Sequence, residues 1–127
     1  MAEDWKSKYD EVEFFSEGLA AVQLNGQWGF VDRQGNVVIP LMYDEVEFFS
    51  EGLAAVQLNN KWGFVNKTGK EVTPLKYDDV RDFNEGLAAV RIGNGDSRFY
   101  KFGWVDKEGN EYWDMNAYEA RQKMKNR

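Results

Sequence analysis

The chain has 127 residues, 16% of them aromatic, which is enough for one compact domain whose core is built from rings. It contains no cysteine and no histidine, which excludes disulfides, thiolate metal sites and an imidazole general base. The net charge of -6 argues against binding to nucleic acid and to an anionic membrane surface.

The first residues, 1–6, are charged and lack the apolar stretch of a secretory leader. No apolar run approaches the length that crosses a membrane. As written, the sequence predicts a cytoplasmic protein, and the same features would also suit a mature secreted fragment.

An internal repeat dominates the sequence. Residues 9–24 return unchanged as residues 43–58, and Tyr77 opens a third copy at the same spacing. Trp28 and Trp62 are 34 positions apart, whereas Trp62 and Phe102 are 40 apart, so the third copy carries an insertion.

The first copy predicts three strands. Residues 19–24 form an apolar run that ends at Asn25 and Gly26, a strong hairpin signal because both turn positions need positive φ. Residues 28–32 are the expected return strand, and residues 37–39 are a third strand after a turn that contains Gly35. Residues 43–49 alternate poorly and predict an irregular link or a short strand.

The second and third copies predict the same elements, with residues 94–99 as a longer hairpin tip in the third. The chain then changes character, because residues 114–125 show helical spacing of apolar side chains. Asp114 or Asn116 can cap this helix. We expect the helix to cover the open edge of the last repeat.

The repeated residues resemble the WG-repeat family of bacterial proteins. The matching positions of the first copy and the start of the second are Phe15, Glu17, Gly18, Leu19, Ala20, Val22, Trp28, Gly29, Phe30, Val31, Gly35, Ile39, Pro40, Tyr43 and Asp44. The resemblance covers about residues 9–112 and implies tandem β-hairpin units with no agreed biochemical activity. The third copy departs from the pattern, with Phe102 in place of the tryptophan and Trp104 in place of the phenylalanine.

The predicted fold is all-β: three hairpin or meander repeats stacked as a short solenoid-like array in a single domain of residues 1–127. The repeats span about residues 9–42, 43–76 and 77–112, and a capping helix spans about residues 114–125. A closed barrel or propeller is the alternative, and with three units a propeller would require self-association, since it needs about four blades.

Trp28 and Trp62 are the first candidates for a binding site. Exposed, they could stack on sugar rings; buried, they would contribute to the core, with Gly29 and Gly63 leaving room for the neighbouring repeat. We expect the core role to dominate.

The insertion supplies the second candidate site. It combines Asp96, Arg98 and Tyr100 with flexible glycines in a long hairpin tip, where binding residues are often found. The alternative is an insertion that is merely tolerated at the surface.

Acidic residues recur in register, at Asp10, Asp44 and Asp78, at Glu11, Glu45 and Asp79, and at Glu17, Glu51 and Glu85. Like charges on neighbouring strands repel, so these side chains should be solvated or form turns, and Glu17 should accept hydrogen bonds in its own turn. They show no calcium-loop spacing. Catalysis by a carboxylate pair would need two different environments, which equivalent repeats do not offer.

The sequence therefore predicts a non-enzymatic module for protein–protein interaction or scaffolding, without a cofactor or a metal. Its repeated acidic and aromatic surface would bind a basic protein partner. A module that binds glycans or cell walls through Trp28, Trp62 and Tyr100 is the alternative.

Overall fold

The computed structural model describes residues 4–93 and 100–126, which form three antiparallel sheets of four strands each. Sheet 1 contains β1 (Glu11–Val12), β2 (Ala20–Leu24), β3 (Gln27–Val31) and β4 (Val37–Tyr43). Sheet 2 contains β5 (Glu45–Val46), β6 (Leu53–Leu58), β7 (Lys61–Asn66) and β8 (Glu71–Tyr77). Sheet 3 contains β9 (Asp79–Val80), β10 (Leu87–Gly93), β11 (Tyr100–Asp106) and β12 (Glu111–Trp113).

Each sheet is a meander whose strands lie side by side in chain order. The all-β array of three repeats is thereby confirmed, and within the described ranges the sheets are open and do not close into a barrel. The predicted hairpin tip at residues 94–99 lies outside the described residues. The third strand is longer than predicted, since β4 continues through Pro40 to Tyr43.

The sheets stack face to face. Ala20 and Ala21 point to opposite faces of β2 and are both buried, because one face of sheet 1 packs on the N-terminal segment and the other on sheet 2. This two-sided burial explains why Ala-Ala-Val, which is apolar on both faces, recurs in β2, β6 and β10.

Aromatic pairs join successive sheets. The rings of Phe30 and Phe49 meet edge to face with centroids 4.8 Å apart, and those of Phe64 and Phe83 do so at 4.7 Å. In each pair the first ring comes from the second long strand of one sheet and the second ring from the connection between the first two strands of the next sheet. The hydrophobic core is therefore formed by contacts between neighbouring repeats as well as by contacts within each repeat.

The hairpin turns follow the sequence prediction. Asn25 and Gly26 have φ values of 54° and 82°, the left-handed pair that a two-residue turn needs. The Asp10 carboxylate accepts a hydrogen bond from the Asn25 amide at 3.0 Å, and Asp44 does the same for Asn59. Asp10 and Asp44 therefore stabilise turns, which is one of the two roles, solvated or turn-forming, that the sequence predicts for the recurrent acids.

The glycine after each tryptophan makes room for a strand of its own repeat. The pairing of β3 with β4 shifts register around Phe30, which brings the backbone of Ile39 and Pro40 against Gly29. A Cβ atom on Gly29 would lie 2.4 Å from the carbonyl oxygen of Ile39. The expectation that this glycine accommodates the neighbouring repeat was wrong, because the bulge arises within the sheet.

The Glu-Gly turns connect one repeat to the next. Glu51 accepts hydrogen bonds from the amides of Glu85 and Gly86 at 2.7 and 2.9 Å, and Glu17 accepts one from Gly52 at 2.9 Å. The prediction that Glu17 bonds within its own turn was therefore wrong. Its carboxylate reaches the equivalent turn of the next repeat instead.

An N-terminal cap covers the outer face of sheet 1. A 3-10 helix, Asp4–Lys8, places the buried Trp5 ring against Gly35 and edge to face with Phe15, at a centroid separation of 6.2 Å. Phe15 is the repeat equivalent of Phe49, which packs against Phe30 of the preceding repeat. Trp5 therefore packs against Phe15 as Phe30 packs against Phe49. The sequence pattern did not predict this cap.

The C-terminal helix α1 spans Ala117–Lys125 and begins after a capping box formed by Asn116 and Glu119. It starts later than predicted because Asp114, with φ of 59°, is not helical. The helix packs through Ala120 on a face of sheet 3, beside Trp104. The expectation that it covers a sheet edge was therefore wrong. In the part of the chain that the structure describes, no helix has the length and apolar character needed to cross a membrane.

The turn that follows β11 depends on a buried carboxylate. Burial alone would raise the pKa of Asp106, but hydrogen bonds from Asn110, from the Tyr112 hydroxyl at 2.8 Å and from the Glu108 amide hold that pKa below its usual value. A carboxyl with a lowered folded-state pKa stabilises the fold above its unfolded pKa of about 3.9, and this contribution is lost as the pH falls through the folded value.

We therefore expect the free energy of unfolding to fall as the pH drops below about 4, and to fall less steeply in Asp106→Asn. Asparagine keeps the backbone bonds of this turn, because the side-chain oxygen of Asn66 accepts the equivalent pair in sheet 2, although its amide nitrogen cannot accept the bonds from Asn110 and Tyr112. Urea denaturation of both proteins between pH 6 and 2 measures the difference. If the free energy of unfolding fell equally steeply with pH in both proteins, the role assigned to Asp106 would be contradicted.

Candidate functional site

Two clefts open between successive sheets. The first encloses about 220 Å³, the second about 250 Å³. The first cleft is lined by Glu13, Ala21, Trp28, Val46, Glu47 and Phe48. The second cleft is lined by Glu47, Trp62, Asp79, Val80, Arg81 and Asp82.

The two tryptophans occupy equivalent places. Trp28 on β3 pairs across the strands with Tyr43, and Trp62 on β7 pairs with Tyr77. Both indoles are half-buried and pack against the core clusters between the sheets. Each ring thus contributes to the core with one side, as expected, and forms the wall of a cleft with the other.

Glu47 lies between the two clefts and lines both. Glu47 is exposed, but desolvation by its surroundings, together with the nearby carboxylates of Asp82 and Glu45, raises the pKa of Glu47 above its ordinary value. Within the described residues no salt bridge neutralises Glu47. The first cleft contains a second carboxylate, Glu13, and no basic side chain.

This arrangement fits a cation. A lysine or arginine side chain in the first cleft would lie against the Trp28 face, where the ring quadrupole attracts positive charge, and would pair with Glu13 or Glu47. In the part of the chain that is described, no cluster of three or more histidine, cysteine or carboxylate side chains is placed to hold a metal ion.

The family model described as "WG containing repeat" matches residues 6–28, 28–62 and 62–95. The chain belongs to the WG-repeat family. No curated protein and no solved structure matches this WG-repeat chain. The family consists of repeat modules, which is consistent with the stacked sheets seen here.

The other predicted site residues of the WG-repeat chain lie in sheet 3 or outside the described residues. Tyr100 begins β11, is 40% exposed and has the Arg91 guanidinium 4.5 Å from its ring centroid. It lines neither tryptophan cleft. Asp96 and Arg98 fall outside the described residues. The structure therefore brings Trp28 and Trp62 into equivalent sites but does not join them to Tyr100.

The carboxylates of the clefts were missed by sequence reasoning. Glu13 and Glu47 recur at the repeat spacing, and the third copy has Arg81 at that position. The signal was present, but the acidic rows singled out in the sequence did not include these positions, because nothing in the pattern shows which recurrent acid borders a tryptophan of the neighbouring repeat.

Proposed function

We propose that this WG-repeat protein is a non-enzymatic interaction module that binds a basic, extended segment of a partner protein through its two tryptophan clefts. The observation that supports this best is the position of Glu47, a carboxylate with two tryptophan-walled clefts beside it and no salt bridge among the described residues. A lysine or arginine of the partner would supply the positive charge that no described residue provides to Glu47.

The repetition of the clefts favours a segment over a single side chain. Both clefts share Glu47 as a wall, and in the second cleft the carboxylates of Glu47, Asp79 and Asp82 outnumber the one basic side chain, Arg81. Neighbouring basic residues of one extended chain can therefore occupy the two clefts together. Binding at one cleft raises the effective concentration of the next residue at the other, and weak contacts add up to useful affinity.

The chemistry of the first cleft favours a cation over a neutral sugar. Sugar recognition by aromatic ladders needs open ring faces, and Trp28 is half-buried in a cleft that it shares with Glu13 and Glu47. The chain has no histidine to act as a general base and no cysteine to act as a thiolate nucleophile, and we assign the clefts a binding role without catalysis.

The test is a calorimetric titration with a synthetic peptide in which arginine and alanine alternate. We expect Glu47→Gln to weaken binding by about tenfold, which corresponds to about 1.4 kcal/mol. Affinity should also fall as salt rises from about 50 to 500 mM, since ion pairs at accessible sites are screened. Glu11→Gln removes an equal charge from β1 outside both clefts and is the matched control.

Three results would overturn the proposal. These are absence of binding, an affinity independent of salt, and an equal loss in Glu11→Gln and Glu47→Gln. Quenching of tryptophan fluorescence by a neutral polysaccharide, unaffected by salt and by Glu47→Gln, would instead identify a glycan-binding module.

A further inference from the structure

The described residues cover only half of the outer face of sheet 3. Trp104 and Tyr112 pack beneath α1, and the Trp104 indole donates a hydrogen bond to the Met115 carbonyl at 3.0 Å. On the same face, Phe102 is 62% exposed. A shallow cavity of about 180 Å³ lies here, and we call its surface, formed by Arg81, Ala89, Arg91 and Phe102, the open half-face.

The first two sheets show how this surface is covered elsewhere. Ala21 and Ala55, the equivalents of Ala89, are 4% and 2% exposed because the next repeat lies over them, whereas Ala89 is not fully buried. On sheet 1 the cover is residues 45–49, whose Val46 packs against the core. That segment reads Glu-Val-Glu-Phe-Phe, in which acidic residues alternate with apolar ones.

The open half-face has gained positive charge relative to its equivalents. Arg81 stands where the other repeats have glutamate, and Arg91 stands where they have glutamine. Neither arginine forms a salt bridge with a described residue. Asp79 also borders the cavity, but one of its carboxylate oxygens accepts a hydrogen bond from the Val80 amide.

The guanidinium of Arg91 is held in place by an aromatic ring. It lies over Tyr100, with its carbon 4.5 Å from the ring centroid, and no described group accepts a hydrogen bond from its Nε–H. Stacking of this kind restrains the guanidinium. Its charge helps to lower the pKa of Asp78 but forms no salt bridge with a described residue, so it can still pair with a carboxylate of a partner.

We propose that the open half-face binds an extended segment of a partner protein in which acidic residues alternate with apolar or aromatic ones. The apolar side chains would cover Ala89 and Phe102, and the carboxylates would pair with Arg81 and Arg91. A complete sheet from a second copy does not fit, because α1 occupies the rest of the face. This surface shares Arg81 with the second tryptophan cleft, but Ala89, Arg91 and Phe102 line neither cleft, and the surface selects the opposite charge.

The probe is a fluorescently labelled peptide with the sequence of residues 43–50, the chain's own covering segment, titrated with the full chain and followed by anisotropy. We expect saturable binding, weakened about tenfold or more by Arg81→Glu and clearly by Phe102→Ala. Arg91→Gln, which introduces the residue of the equivalent position in sheets 1 and 2, should also weaken it. Lys107→Glu changes the same charge in an exposed turn of sheet 3 and should leave the affinity unchanged.

Binding would also have to depend on the probe's charge, so a peptide with both glutamates replaced by lysine should not bind. Absence of binding by the native peptide, or equal affinity for Arg81→Glu and Lys107→Glu, would overturn the proposal. Self-association that Arg81→Glu abolishes in sedimentation experiments would also overturn it, by identifying a second copy as the occupant. The basic-peptide titration uses another probe and is tested at Glu47, which does not line the open half-face, so either proposal can fail alone.

Discussion

Phe64→Ala is expected to lower the free energy of unfolding by about 3–5 kcal/mol, the usual cost of removing a fully buried phenylalanine. The Phe64 ring is 1% exposed and lies edge to face against Phe83 of the next repeat. Its loss leaves a cavity at the junction of sheets 2 and 3. Because small domains are stable by only about 5–15 kcal/mol, the change should be evident in urea denaturation.

Phe14 provides the matched control for this substitution. It is also a phenylalanine of the repeat, but its ring is 85% exposed. Phe14→Ala should change the free energy of unfolding by no more than about 0.5 kcal/mol. If the two alanine variants were equally stable, the stacking of the sheets through these rings would be refuted.

Gly29→Ala is expected to cost about 1–3 kcal/mol although it adds a single methyl group. The new Cβ would lie 2.4 Å from the Ile39 carbonyl oxygen and 2.7 Å from that of Pro40, both of which belong to the backbone and cannot rotate away. The bulge of β4 would have to move outward to accept it. Thermal or urea denaturation measures the loss.

The control for Gly29 is another glycine of the same hairpin. Gly26 has φ of 82° and nothing within 4 Å of the position that a Cβ atom would take, and the second repeat has Asn60 at the same place with φ of 67°. Gly26→Asn should therefore be nearly neutral. A Gly29→Ala protein as stable as Gly26→Asn would show that the bulge does not press on Gly29.

The features that sequence could predict are those fixed by residues near one another in the chain. Asn25 and Gly26 adopt the turn that their conformational freedom favours, and the apolar run after Gly18 forms the central strand. Asn116 caps α1 through its own side chain, one of the two caps expected. Each of these depends on contacts within a few residues, so the local pattern was sufficient.

The features that were missed arise between copies. Glu17 bonds the turn of the next repeat rather than its own, and Trp5 packs on sheet 1 where the later sheets meet a neighbouring repeat. A repeat pattern shows that equivalent residues recur, but it does not show which face of one copy meets which segment of another. That relation is set by the stacking of the sheets.

The candidate sites were predicted only in part for the same reason. Trp28 and Trp62 stood out by composition, but the partner that makes each a cleft comes from the following repeat. The third copy departs from the repeat at Arg81 and Phe102. These two residues become candidates for a binding surface only because no further sheet of the described chain covers their face. In a repeat protein, position in the stack changes what the same residue does.

The pKa of Glu47, measured by carbon NMR on the free protein and on its complex with the arginine peptide, tests the central claim most directly. We expect the free value to lie above that of an ordinary glutamate, and to fall when a peptide cation is bound beside it. Peptide binding should accordingly weaken as the pH drops through the free value. A Glu47 pKa that stays the same when the peptide saturates the protein would show that the clefts between the sheets are not where basic segments bind.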